Sequence, residues 1–293
     1  MFATLLGGLP RPPLDDDAAP EALLDACLEL QLDHGLEPVV DAGWSLSADG
    51  VAETWRGTAA RTKALTKAVV TGPFTSGRPA DVVRGGMLAL ADAGCRWIEV
   101  HEPGAVAIGQ DPEARARFGD AHRALTDGFG GDVHLSLAIV GGNADTAGIE
   151  TILAGAYASL AVDLIGGPDN WRLAVNVPAE RGVICGAVST TIDDVEGPEV
   201  LLWAAGYAAS SMARGWDRVG LATAGPLTDL PWDVAAAKLR RLGDAARLAT
   251  ASPEVRRAAI DPRAINARTA AGFSGPARPP SPNRAARRAR RRT

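Results

Sequence analysis

The chain has 293 residues, 46% of them hydrophobic and 22% charged, which is typical of a globular protein with one sizeable core. Its three cysteines, Cys27, Cys95 and Cys185, are widely spaced, which argues against a disulfide framework and for a reducing compartment. The chain shows no signal-peptide pattern and no apolar run near the roughly 18 residues that span a bilayer, so we expect a cytoplasmic protein without membrane contact.

The formal net charge of −5 conceals an asymmetry along the chain. Residues 263–293 contain nine arginines and no acidic residue, which leaves a net charge of −14 on residues 1–262. Residues 274–293 are rich in Pro, Ala and Arg and contain almost nothing to bury, so we predict a disordered basic tail there. Because no aromatic residue lies between these arginines, we expect no specific nucleic-acid site.

Eight short apolar runs alternate with helical patterns along the chain. The predicted strands are 2–6, 37–42, 67–71, one within the stretch 96–104, 132–140, 159–165, 182–188 and 219–222. The predicted helices are 21–34, 51–65, 80–93, 111–129, 145–158, 198–214 and 232–248, with shorter pieces at 169–174 and after Pro253. The runs are apolar throughout rather than alternating, as in parallel strands buried on both faces.

Eight strand–helix units over roughly 250 residues predict a single TIM (β/α)8 barrel. We assign it to residues 1–273 and the tail to residues 274–293. An open doubly wound sheet is the alternative. Such a sheet usually carries a G-x-G-x-x-G loop after an early strand, and this chain has none.

In a barrel of this type, functional residues lie at the C-terminal ends of the strands. The stretch 96–104 has this pattern, because an apolar run ends in His101 and Glu102 before Pro103 blocks the ladder. An imidazole beside a carboxylate can transfer protons, so we predict four catalytic residues: His101, Glu102, His134 and Asp163. The predicted substrate-binding residues are Arg11, Asp41, Thr71, Asn143 and Ser189. A structural role is the alternative for each buried histidine.

Several common sites are missing from the sequence. There is no phosphate-binding P-loop, no G-x-S-x-G nucleophile turn and no Cys/His spacing of the kind that holds zinc. His134, Asp163 and Cys185 can still meet inside a barrel, which leaves a metal site open as an alternative.

Five stretches carry a family resemblance. They are 4–11 (TLLGGLPR), 71–75 (TGPFT), 98–103 (IEVHEP), 133–134 with 142–143 (VH and GN), and 220–223 (GLAT) leading into 238–239 (KL). Together, and in this order, they resemble the catalytic barrel of cobalamin-independent methionine synthase, within the wider group that includes uroporphyrinogen decarboxylase.

The resemblance implies a zinc ion held by His, Cys, Glu and Cys, which activates a thiol acceptor. His134 matches the histidine and Asp163 stands roughly where the Glu is expected, so any residual metal site would use these two residues. Ser136 and Ala224 stand near the positions of the two cysteines. Because soft thiolates supply much of the zinc affinity at such a site, we expect zinc binding to be weakened.

The acceptor pocket also departs from the family pattern. His101 replaces the family's Asp before Glu-Pro, and Gly43-Trp44 replaces its Gly-Glu. We therefore predict a divergent methyltransferase for a small, thiol or amino-acid-like acceptor, with a donor of the methyltetrahydrofolate type. One alternative is a metal-free decarboxylase that holds carboxylates with Arg11, Arg56 and Arg78. A ligand-binding barrel without catalysis is the other.

Overall fold

The computed structural model describes residues 1–44, 50–129, 131–190 and 195–261. Seven parallel strands form one curled sheet in the order β1-β7-β6-β5-β4-β3-β2. The strands are β1 (Phe2–Thr4), β2 (Ala68–Thr71), β3 (Trp97–His101), β4 (His134–Ile139), β5 (Ser159–Asp163), β6 (Gly182–Val188) and β7 (Val219–Thr223). Sequential strands lie side by side, as in a barrel, so the predicted TIM-type fold is confirmed.

Helices surround the sheet. They are α1 (Pro20–Asp33), α2 (Val51–Ala59), α3 (Pro73–Ser76), α4 (Ala80–Asp92), α5 (Pro112–Thr126), α6 (Ile149–Ile152), α7 (Trp171–Asn176), α8 (Pro198–Ser210), α9 (Trp232–Thr250) and α10 (Pro253–Ala259). Proline occupies the first turn of five of these helices, where its missing N–H group costs no hydrogen bond. They are α1, α3, α5, α8 and α10.

The predicted second strand, 37–42, is wrong as a regular strand. It forms a single parallel bridge, Val39 with Thr66, although the Glu37 N–H group also donates to the Ala3 carbonyl of β1 at 2.9 Å. The segment therefore fills the eighth position of the ring between β1 and β2. The ladder stops because the buried Gln31 amide bonds both the N–H and the carbonyl group of Val40, at 3.0 and 2.8 Å.

The predicted helix 145–158 is also much shorter in the structure. A 3-10 turn covers Asp145–Ala147 and α6 covers Ile149–Ile152, with Gly148 between them at φ 83. A residue with positive φ cannot continue a right-handed helix, so the two short pieces remain separate.

Apolar residues form two layers, one inside the ring and one outside it. The inner cluster contains Leu6, Trp97, Ala138, Val140, Ala161, Ile184 and Ala222. A larger cluster fills the space between the strands and the helices. Both layers are buried, which explains why the strands are apolar on both faces.

The predicted tail and the predicted domain boundary at residue 273 lie outside the described residues. Within the described part of the chain, no helix is long and apolar enough to cross a membrane.

Candidate functional site

A buried polar network lies inside the barrel and reaches its C-terminal end. Trp97, Glu99 and His101 alternate along β3 and point inward. Lys67, just before β2, places its Nζ 2.8 Å from Glu99 Oε1, and the His101 Nε2 atom lies 2.8 Å from the same oxygen. The side chains of Lys67 and Glu99 are fully buried, whereas that of His101 is 13% exposed. His101 therefore connects the buried ion pair to the mouth of the barrel.

The network holds Glu99 as an anion. Burial raises the pKa of this carboxyl group, but the charge of Lys67 and the hydrogen bonds from His101 and Lys67 outweigh burial and lower the pKa to about 2. Burial lowers the pKa of Lys67, while the nearby Glu99 charge opposes that shift. Ser136, across from Glu99 on β4, donates its hydroxyl group to the other carboxylate oxygen at 3.4 Å.

This geometry fixes the tautomer of a neutral His101. A carboxylate can only accept hydrogen bonds, so the ring nitrogen facing Glu99, Nε2, must carry the proton. The other nitrogen, Nδ1, then has a lone pair available for a proton. The Glu99 carboxylate would stabilise the imidazolium ion formed when Nδ1 takes that proton.

A cavity of about 250 Å³ lies beside the network, between α2 and β2. Its lining includes Asp41, Thr54, Trp55, Lys67 and Val69. Burial raises the pKa of Asp41, although a hydrogen bond from the Gly43 N–H group opposes this. The buried Nε1 atom of Trp55 has no hydrogen-bond partner among the described residues.

Glu102 does not face the mouth, so its predicted position beside a substrate is wrong. Its carboxylate accepts hydrogen bonds from the N–H groups of Phe74 and Thr75, at 2.9 and 2.7 Å, and from the Thr75 hydroxyl group at 2.5 Å. His122 Nε2 lies 3.1 Å from Glu102 Oε1 and fixes it from the other side. Glu102 is fully buried and binds the N-terminal N–H groups of α3, which joins the Thr-Gly-Pro-Phe-Thr and Glu-Pro motifs into one unit.

His134 lies at the opposite end of the barrel from His101. It is the first residue of β4 and pairs with Trp97, the first residue of β3, whereas His101 ends β3. Its Nε2 atom is 2.9 Å from Ser159 Oγ, and its ring lies 3.9 Å from the Trp97 ring. Burial lowers the pKa of His134 to about 4. The expectation that both histidines share one mouth is therefore wrong.

Asp163 does end β5 at the C-terminal side, but its carboxylate holds the following loop. It accepts hydrogen bonds from the N–H groups of Ile165 and Gly166 at 2.8 and 2.7 Å, and from Gly141 at 3.3 Å. The exposed Asn143 likewise accepts a hydrogen bond from the Asp169 N–H group at 2.8 Å. Both side chains thus connect the loops that follow β4 and β5.

The remaining predicted binding residues occupy different parts of the mouth. Thr71 is exposed and pairs with His101 across β2 and β3. Ser189 is buried, and its N–H group donates to Glu196 at 2.6 Å. Arg11 is exposed, and its guanidinium group donates to the carbonyl groups of Asp15 and Asp16. Only Thr71 and Asp41 therefore lie on the same side of the mouth as the His101 network.

The zinc site implied by the resemblance does not fit these residues. No group of three or more His, Cys, Asp or Glu side chains in the described residues is placed to hold a metal ion. His134 and Asp163 lie at opposite ends of neighbouring strands, and Cys185 belongs to the apolar layer between strands and helices.

Sequence reasoning missed Lys67 and Glu99. Both residues lie in apolar runs that the sequence assigns to strands buried on both faces, and functional roles were assigned only to residues at the ends of such runs. The available signal was the period of two: Trp97, Glu99 and His101 occupy alternate positions of one strand and therefore share one face. A carboxylate two residues before a histidine on that face predicts a contact between them.

No protein-family model matches the chain, and neither does any curated protein. Several solved structures are similar to this chain in fold. A B12-independent methionine synthase from Shewanella sp. W3-18-1, in complex with selenomethionine, has 14% identity and a TM-score of 0.71, covering 84% of this chain and 96% of that one. A Listeria monocytogenes protein described as a putative vitamin-B12 independent methionine synthase has 11% identity and a TM-score of 0.67, covering 84% of this chain and 97% of that one.

A methyltransferase from Methanosarcina mazei is similar at a lower level, with 13% identity and a TM-score of 0.51, covering 83% of this chain and 93% of that one. At such identities the likeness establishes the fold alone. The resemblance seen in the sequence is thus confirmed at the level of architecture: the chain has the barrel fold of the B12-independent methionine synthase-like proteins.

Proposed function

We propose that the chain is a methyltransferase-like barrel enzyme in which His101 accepts a proton from a small acceptor at the C-terminal mouth. The observation that carries the proposal is the Lys67–Glu99–His101 network, which ends in a partly exposed imidazole at that mouth. The likeness in fold to methionine synthase-like barrels supports the reaction class.

The reaction would proceed without a metal-bound thiolate. His101 Nδ1 takes the proton of the acceptor X–H, and the resulting imidazolium is stabilised by Glu99. The electron pair left on X attacks the methyl carbon of the donor, and the bond between that carbon and the donor nitrogen breaks with its electrons remaining on the nitrogen. This nitrogen takes up the proton that His101 received, which returns the imidazole to its neutral form. Lys67 keeps Glu99 ionised throughout.

The cavity beside the network supports an amino-acid-like acceptor. Burying the Asp41 carboxylate is unfavourable, and a bound ammonium group would offset that cost. The Shewanella protein is in complex with selenomethionine, the selenium analogue of a methylated amino-acid thiol, which agrees with this acceptor class.

The test uses the purified full chain with homocysteine and related amino-acid thiols as acceptors, and methyltetrahydrofolate and its polyglutamates as donors. We expect His101→Gln to lower turnover by about 10²- to 10⁴-fold, the contribution typical of a general base. His34→Gln is the matched control, because His34 follows α1 outside the mouth, and it should retain full activity.

Equal turnover in the two variants would rule out His101 as the base. If calorimetry shows that the acceptor binds but no donor–acceptor pair is turned over, the result would contradict enzymatic activity and favour a ligand-binding barrel. In a long-range ¹H–¹⁵N spectrum of labelled histidines, His101 should show the Nε2–H tautomer when neutral. The Nδ1–H tautomer would contradict the proposed base.

A further inference from the structure

Helix α8 is apolar on its outer face as well as on its inner face. Its inner face, which includes Leu201, Ala205 and Ala208, is buried against the barrel. On the outer face, Val200, Trp203 and Tyr207 are 52%, 53% and 45% exposed. A surface helix normally carries polar residues on its outer side, and a helix that is apolar all round is normally covered. The outer face of α8 therefore has the composition of a contact surface.

The aromatic residues on this face form an ordered group with Trp171 of α7, which we call the aromatic corner. The rings of Trp203 and Tyr207 are nearly parallel, 8° apart, with centroids at 5.6 Å. Trp171 stands perpendicular to both, at 74° and 82°. Parallel and perpendicular rings of this kind present flat apolar faces of the sort on which proline rings and planar guanidinium groups stack.

The C-terminal part of the chain begins close to this helix. Ala259 of α10 and Leu202 of α8 belong to one apolar cluster, and the description of the chain ends at Asp261. Residues 262–276 can span up to roughly 50 Å when extended, at about 3.3 Å per residue. Helix α8, with 13 residues, is only about 20 Å long at 1.5 Å per residue. The segment that follows residue 275 can therefore reach any point on the outer face of α8.

The sequence of that segment matches the aromatic corner in chemistry. Pro276, Pro279 and Pro282 are spaced as two overlapping P-x-x-P motifs, with Arg278 between them. Such sequences favour the polyproline II conformation and bind to aromatic-lined surfaces at a low cost in entropy. Nine arginines and no acidic residue follow Pro262, whereas residues 1–262 carry a net charge of −14. Attraction between body and tail adds to the affinity of the contact.

From these observations we infer that residues 276–284 dock in extended form on the aromatic corner of the same molecule. Proline rings and the Arg278 guanidinium group cover Trp171, Trp203 and Tyr207. The contact lies on the helical layer of the barrel and is independent of the reaction at its mouth.

A spin label tests this in the full chain. Cys27, Cys95 and Cys185 are free but buried, so a nitroxide attached to Ser281→Cys has a single reactive site in the native protein. The seven tryptophans, labelled with 5-fluorotryptophan, report its distance through ¹⁹F line broadening after assignment by single Trp→Phe variants. We expect strong broadening of Trp171 and Trp203. Trp55 in α2 and Trp44 before it lie near β2, on the other side of the barrel from α8, and should remain sharp.

Two variants show whether the P-x-x-P spacing causes the contact. Changing Pro279 and Pro280 to Gly in the labelled chain should abolish the broadening. The matched control, Ala285→Gly with Ala286→Gly, alters the same tail outside the docking segment and should preserve it. High salt should weaken the broadening, since it screens the attraction between tail and body. Equal broadening of all the tryptophans, or none, would overturn the inference.

A mixed sample separates docking within one molecule from docking between two. It combines fluorinated chains that lack the spin label with labelled chains that lack fluorine. We expect no broadening there. Broadening in the mixture, or a dimer in sedimentation that Trp203→Glu disrupts, would assign the aromatic corner to a second copy of the chain and overturn the proposal.

Discussion

Lys67 Nζ lies 2.8 Å from Glu99 Oε1, and neither side chain is exposed to solvent. A buried charge without its partner is far less stable than the pair, since removing one member leaves the other uncompensated. The barrel therefore depends on keeping both residues or neither.

Replacing Lys67 alone should destabilise the fold strongly. We expect Lys67→Met to lower the free energy of unfolding by about 3–5 kcal/mol, measured by urea denaturation. The exposed Lys63→Met is the control and should change it by less than about 0.5 kcal/mol. The double variant Lys67→Met with Glu99→Leu should recover most of the loss. Equal free energies of unfolding for Lys67→Met and Lys63→Met would contradict a buried ion pair.

Glycine at position 72 is required by the approach of Glu102. A Cβ atom on Gly72 would lie 2.1 Å from the Glu102 carboxylate, which is anchored by Phe74, Thr75 and His122. We expect Gly72→Ala to cost more than about 2 kcal/mol of stability, since the anchored carboxylate must move and lose hydrogen bonds.

Gly85 provides the comparison for Gly72. It lies exposed in α4, and a Cβ atom there would meet nothing within 4 Å. Because Ala favours a helix interior, Gly85→Ala should stabilise the protein by about 0.5–1 kcal/mol. A Gly72→Ala variant as stable as Gly85→Ala would show that Glu102 is not held as described. Thermal unfolding of both variants provides the measurement.

His134 should make stability depend on pH in mildly acid solution. Its pKa is lowered from 6.5 to about 4 by burial, so the unfolded chain binds this proton more readily. Stability should therefore fall as pH decreases from 6.5 to about 4, by about 1 kcal/mol per pH unit. His134→Gln should flatten this part of the profile.

Glu99 acts in a separate, lower window of pH. Its pKa is lowered from 4.5 to about 2, so its stabilisation is complete above pH 4.5 and is lost as pH falls toward 2. Urea denaturation at half-unit pH steps separates the two windows. Identical profiles for the wild type and His134→Gln between pH 6.5 and 4 would contradict a buried neutral imidazole.

The three cysteines should be unreactive in the folded protein. All are buried, and burial raises the pKa of Cys27 and Cys185 to about 12. Since the thiolate is the reactive form, a disulfide reagent at pH 8 should modify none of them until denaturant is added, when all three react. The Ser281→Cys variant should react at once with one equivalent, which provides the control. Rapid reaction of a native cysteine would contradict this packing.

Much of the fold followed from the sequence because parallel strands buried on both faces leave a simple pattern. Gly182–Val188 matches its predicted bounds, and Trp97–His101 lies within the predicted stretch 96–104. The prediction of the second strand failed because Gln31, nine residues earlier and on α1, binds the backbone groups of Val40. A tertiary hydrogen bond of this kind leaves no local pattern.

The candidate site was harder to predict than the fold. His101 was correctly placed at a strand end, yet its partners Glu99 and Lys67 were missed because their charge is compensated across two strands. Glu102 immediately follows His101, but it points away from the mouth toward α3. His134 was assigned to the right strand and the wrong end. Sequence identifies which residues occupy a strand more readily than which end of the barrel they face.

The bridge at Val39 and Thr66 has a mechanical consequence for the barrel. The other neighbouring strands are joined by ladders of three or more paired residues. The segment 37–42 is instead held by one bridge and a few flanking hydrogen bonds. The ring therefore has a seam at this position, directly beneath Asp41 and next to the cavity. Changes in side-chain size along the seam can widen or narrow the cavity while the rest of the wall keeps its register.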